Sequence, residues 1–196
     1  SDGDGIPVNK KEAIRYYKAG IERGNPAAMY NLGVIFHQDE GFIDEPEAMR
    51  LIKMSADKGL VIAMHTYGCL SFVNNPTPAG KLESARYFKM AADKGHVESM
   101  VILSGMLNEC DFIKQDKGES LKYLKMAADR GDVDSMYKYG VKKFDGEEGV
   151  TIDKEEGIIY LKKAISNGHS MAKNKYGLIL SEGDGVTVNK KEASRF

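Results

Sequence analysis

A nonapeptide that returns at nearly constant spacing constrains this chain more than any other feature. Tyr123-Leu124-Lys125-Met126-Ala127-Ala128-Asp129-Arg130-Gly131 recurs almost unchanged at residues 87–95, and more loosely at 51–59, 160–168 and 16–24. The closing glycines Gly24, Gly59, Gly95, Gly131 and Gly168 stand 35, 36, 36 and 37 residues apart. A fixed period of this length marks one helical hairpin per repeat. Such a hairpin cannot bury its apolar stripe alone and must stack on its neighbours. The pattern predicts an all-α solenoid of antiparallel helix-turn-helix repeats in a single array over residues 1–196. Helix pairs are expected at about 9–38, 44–73, 80–110, 116–145 and 153–182, with a partial helix at 189–196.

The first helix of each repeat, helix A, is expected to open fifteen residues before its glycine, at Asn9, Asp44, Asp116, Asp153 and Asn189. Three residues on stand Glu12, Glu47, Glu119, Glu156 and Glu192, the spacing at which cap and glutamate each accept from the other's unpaired backbone N–H. In the third repeat Gly80 takes the cap position. The next residue is small (Ala13, Ala48, Ser84, Ser120, Gly157), which permits close helix approach. Helix A should end at its glycine in a left-handed turn.

In the second helix, helix B, Met29, Met64, Met100 and Met136 recur at one phase, with Gly33, Gly68, Gly140 and Gly177 four residues after it. A methionine stripe at fixed phase reads as core. Ser104 and Lys173 break the pattern, and Met171 is offset. Gly68→Leu, at a packing phase, is expected to destabilise far more than Gly146→Ala, in a turn. His96 and His169 read as turn residues.

Helix B in these stretches, with Ala63-Met64-His65-Thr66-Tyr67-Gly68, the turn Gly183 to Asn189 and the Lys-Met-Ala-Ala-Asp-Lys-Gly run, resembles the Sel-1-like repeat, a relative of the tetratricopeptide repeats. The resemblance implies a right-handed superhelix that acts as a scaffold for protein assembly, with no catalytic motif. The chain departs from the family in having Tyr, Phe or Leu where helix B often carries Trp, and in lacking the paired cysteines of secreted members.

Composition narrows function. The net charge of −1, with lysines interspersed among acids, gives no strongly positive face for nucleic acid. No apolar run approaches the roughly 18 residues of a membrane span, and Ser1-Asp2-Gly3-Asp4-Gly5 is no signal pattern. Cys69 and Cys110 fall at different repeat phases and are expected to be free thiols, which favours the cytoplasm; a luminal or secreted place within a longer protein is the alternative. Residues 3–13 match 183–193 at a separation of 180, so the chain is expected to be a fragment of a longer array whose cut ends associate head-to-tail.

No cofactor is expected. The Asp2-Gly3-Asp4-Gly5 stretch fails as a calcium loop because Lys11 falls where the bidentate glutamate belongs. His65 and Cys69, four apart, make neither a zinc site nor an oriented nucleophile by themselves. The favoured function is a non-catalytic adaptor that holds a peptide or partner protein on a concave face. By analogy with tetratricopeptide arrays that face is lined by helix B at the positions three before, one after and four after its glycine phase. Those positions are Tyr30, Val34 and His37; His65, Cys69 and Phe72; Val101 and Asn108; Tyr137, Val141 and Phe144; Asn174 and Leu178. The alternative function is a structural or oligomerising spacer.

Overall fold

Repeats of this length fold as helix pairs, and a computed structural model shows how they pack. It describes residues 9–109, 113–146 and 149–183, which form ten α-helices. Those of type A are α1 (Lys10–Glu22), α3 (Glu45–Asp57), α5 (Pro78–Asp93), α7 (Lys117–Asp129) and α9 (Lys154–Ser166). Those of type B are α2 (Pro26–Gln38), α4 (Val61–Asn74), α6 (Val97–Glu109), α8 (Val133–Asp145) and α10 (Ser170–Glu182). The expected fragment at 189–196, the Asp2–Gly5 stretch and Cys110 lie outside the described residues.

The helix starts follow from their caps. Asn9, Asp44, Asp116 and Asp153 accept from the backbone N–H of the glutamate three residues on. The Glu12 carboxylate accepts from the Asn9 side-chain amide at 3.3 Å, whereas Glu47 binds Arg50, and Glu83 and Glu156 bind lysines of neighbouring helices. In the third repeat the cap is Thr77, not Gly80. Pro78 has no N–H to leave unsatisfied at the first helical position, and the Gly80 N–H donates to Thr77 Oγ1. His96 and His169 are caps as well, not mere turn residues. The Nδ1 of each accepts a backbone N–H, from Ser99 and Ala172. Each helix A ends before a glycine with φ between 75° (Gly24) and 98° (Gly131), the left-handed region that side chains avoid.

The chain divides into two compact units, one ending at Lys94 and the other starting at Gly95. Within each, a helix B packs more extensively on the helix A that follows it than on its own hairpin partner. Small residues set that contact. A Cβ on Gly33 would lie 2.7 Å from Ile52, and one on Gly68 would lie 2.9 Å from Phe88. On Gly140 it would come within 3.0 Å of the Gly157 carbonyl and of Leu161. The small residues expected to permit close approach do so, and Ser84 Oγ donates to the Gly68 carbonyl across the junction at 2.7 Å.

Met29, Met64, Met100 and Met136 are buried, as their phase predicts, whereas Met171 is 56% exposed and Ala172 is buried in its place. The first unit buries Ile52, Met64, Tyr67 and Tyr87 together; the second gathers Leu124, Met136, Tyr139, Phe144, Tyr160 and Leu161. Burial of such side chains stabilises by about 1.5–3 kcal/mol each before entropy is counted.

Candidate functional site

Helix-B residues of the first unit make local pairs. The Tyr30 hydroxyl on α2 lies 3.4 Å from Thr66 Oγ1 on α4, and the ring packs on the Ile52–Met64 core. Val34 borders a surface cleft with Ile35, Gln38 and Asp39. His37 Nδ1 approaches Glu45 at 2.9 Å, and the same carboxylate accepts from Asn74 at the end of α4, so Glu45 ties α2 to α4. On α4, His65 Nε2 and Cys69 Sγ are 3.6 Å apart and both half-buried. Phe72 is 39% exposed, with Lys81 Nζ 5.8 Å from its ring centroid.

In the second unit Tyr137 stacks on His169 with ring centroids 4.5 Å apart. His169 Nδ1 is the cap acceptor and its Nε2 faces Asp134 at 3.2 Å, so the neutral ring carries its proton on Nε2. Val141 packs on the core. Val101 and Asn108 are half-buried on α6, with Asn108 donating to Glu109. Asn174 and Leu178 are exposed on α10.

Phe144 is a correction. It is 4% exposed, enclosed by α9, where the backbone at Gly157 approaches so closely that a Cβ there would meet Phe144 Cβ at 2.9 Å. It belongs to the core and presents nothing to a partner.

Burial pushes the Cys69 thiol up, the opposite of what a thiolate nucleophile needs, so contact with His65 does not activate it. Among the described residues no three His, Cys, Asp or Glu side chains gather as metal ligands, and no helix is long and apolar enough to cross a membrane.

Sequence reasoning missed a set of side chains on the A helices. Lys53 bonds Glu83 at 2.5 Å and the Tyr87 hydroxyl donates to Asp57 at 2.6 Å. One unit on, Lys125 bonds Glu156 at 2.6 Å and Tyr160 donates to Asp129 at 2.5 Å. These partners are 30 or 31 residues apart, a spacing visible in the repeat only when successive A helices are compared with each other.

Helix pairs stacked through glycine-set junctions define a helical solenoid repeat protein. More particularly, the chain belongs to the Sel1 repeat family, whose model matches residues 1–25, 26–60, 77–96, 98–132, 133–169 and 170–194. Each full-length match joins a helix B to the next helix A, the more extensive packing pair. Residues 61–76, which hold α4, fall outside the matches.

Among solved structures the chain is similar to c5321, a protective antigen of uropathogenic Escherichia coli with an SLR fold. The two share 28% identity with a TM-score of 0.77, over 96% of this chain and 39% of that one. The chain therefore spans well under half of that protein's length. It is also similar in fold to a Sel1 repeat protein from Oxalobacter formigenes, at 24% identity and TM-score 0.70, over 97% of this chain and 78% of that one. No curated protein sequence matches it.

Proposed function

We propose that the chain is a non-catalytic protein–protein interaction module that holds a peptide or partner protein on the exposed parts of its B helices. The observation that carries this reading is the exposure of large apolar side chains there. Phe72 and Val73 on α4 are 39% and 73% exposed; Met171 and Leu178 on α10 are 56% and 57% exposed. Exposed apolar side chains grouped on one element mark contact surfaces, and aromatic anchors dominate their energetics. Membership of a scaffold-forming repeat family agrees, as does the unactivated Cys69 thiol. Cytoplasmic residence is part of the proposal, resting on the free thiol of Cys69.

The test is capture of partners by the immobilised chain, followed by variants in each unit separately. Phe72→Ala in the first unit or Leu178→Asp in the second should weaken capture at least tenfold, about 1.4 kcal/mol, while helical content stays unchanged. Lys122→Ala, on helix A, should do little. Capture undiminished by both surface variants refutes the reading.

A further inference from the structure

Two tyrosines that brace the helix junctions are both replaced at one junction, and a cleft lies there. Where α3, α4 and α5 meet, Tyr87 donates to Asp57 and packs edge-on against Tyr67 with centroids 4.6 Å apart. Lys53 and Arg86 lie 5.3 Å from the Tyr67 and Tyr87 rings, respectively. The second unit repeats the arrangement: Tyr160 donates to Asp129, lies edge-on to Tyr139 at 4.6 Å, and has Lys125 5.9 Å from its ring. One repeat earlier, where α1, α2 and α3 meet, Leu32 and Leu51 hold the two tyrosine positions. The surrounding groups persist, with Lys18 for Lys53, Arg50 for Arg86 and Glu22 for Asp57.

A cleft of about 430 Å³ opens at this junction. Leu32 and Leu51 form its closed floor, and half-buried Ile21 and Phe36 its apolar sides. Ile21 stands where Ala56 and Ala128 stand elsewhere. At the rim the pairing has changed. Glu47, the counterpart of Glu83, is held by Arg50 at 2.6 and 2.7 Å instead of by the lysine of the preceding helix A. The side chains of Lys18 and Glu22 are exposed, and Lys18 adds to Arg50 in holding the Glu47 carboxyl below the usual glutamate range.

We propose that this cleft receives a tyrosine side chain of a partner protein, its ring seated on Ile21 and Phe36 beneath Lys18 and its hydroxyl donating to Glu22. The chain itself supplies the precedent for the occupant: at two equivalent junctions a tyrosine hydroxyl donates a hydrogen bond to the carboxylate at the Glu22 position, with the lysine at the Lys18 position close to the tyrosine pair. An apolar floor beneath a cation and a carboxylate suits a phenol better than an aliphatic or an acidic side chain. The cleft takes Leu32 and Phe36 from α2 but shares no residue with Tyr30, Val34 or His37, nor with the exposed Phe72, Val73, Met171 and Leu178, so this inference does not depend on those surfaces.

The experiment is a titration of the isotopically labelled full chain with N-acetyl-tyrosinamide and N-acetyl-phenylalaninamide, followed by amide chemical shifts. The tyrosine compound should shift Ile21, Phe36 and Leu51 saturably and bind about fivefold more tightly than the phenylalanine compound. Glu22→Gln, a surface change, should remove that difference. Ile21→Ala with Leu51→Tyr, which puts the chain's own ring into the cleft, should abolish binding of both compounds while the helical signal is kept. Absence of saturable shifts, equal affinity for the two compounds, or a preference that survives Glu22→Gln would each overturn the proposal. So would binding that persists in the folded double variant.

Discussion

Lys125 and Asp129 lie four apart on α7 and so share one face, from which both reach α9. Lys125 Nζ donates to Glu156, and Asp129 accepts from the Tyr160 hydroxyl. The Lys125 hydrogen bond is the main reason that the Glu156 carboxyl sits below the usual glutamate range; burial opposes it, and Tyr139 and Lys143 add to it. A carboxyl depressed by folding contributes stability that is full above its unfolded value, near 4.5, and is lost as pH falls through the lower folded value. The pair is partly solvated, with the side chains of Lys125 and Glu156 42% and 25% exposed, so its worth is about 0.5–1 kcal/mol. Glu156→Gln should therefore lower stability by that amount near neutral pH, and the deficit should shrink as pH falls below the unfolded value and through the lower folded one. Urea unfolding of both proteins across this range measures it. A deficit that stays constant with pH would contradict the assignment.

At the scale of the element, a helix B is defined by what approaches its glycine. A Cβ on Gly140 would lie 3.0 Å from the Gly157 carbonyl and from Leu161, whereas Gly105 on α6 is exposed with nothing within 4 Å of its would-be Cβ. Gly140→Ala should cost about 1–3 kcal/mol through overpacking. Gly105→Ala should stabilise by up to about 1 kcal/mol through helix propensity. Thermal melts of the two variants should move in opposite directions; a shared direction would show that these glycines do not differ in packing. Gly140 was legible because it repeats in phase with Gly33 and Gly68, as were the caps Asn9, Asp44, Asp116 and Asp153. Gly146 does lie in a turn, but its φ is 79° and a Cβ would lie 2.6 Å from Ile152, so alanine there is strained in a way that its place outside the helices does not reveal. Phe144 was misplaced for a different reason. A 3.6-residue period tells which residues share a face, but which neighbouring helix covers that face depends on partners about thirty residues away, and here α9 covers it. The cleft at Leu32 and Leu51 went unread because its signal is a departure from the repeat, and a departure has meaning only once Tyr67 and Tyr87 are seen in contact.

In a repeat protein each helix pair leans on its immediate neighbours, so stability is expected to vary along the molecule instead of being shared evenly. Within the first unit α1 buries no residue, while α3 buries Ala48, Leu51, Ile52, Ser55 and Ala56 and packs on both α2 and α4. Within the second, α9 packs on α8 and α10 and buries Gly157, Ile158, Tyr160, Leu161 and Ala164. Local opening should therefore begin at α1 in the first unit, since its release exposes little apolar surface, and should reach α3 and α9 only with the opening of their units. Native-state hydrogen exchange of the intact chain should show α1 amides protected at least tenfold less than those of α3 and α4, a gap of about 1.4 kcal/mol or more. Denaturant well below the unfolding midpoint should leave the α1 rates nearly unchanged, because a small opening exposes little new surface, and should accelerate exchange in α3 and α9 steeply. Equal protection across α1 to α5, or a steep denaturant response in α1, would mean that the first unit opens as a single block and that nearest-neighbour packing does not set its stability.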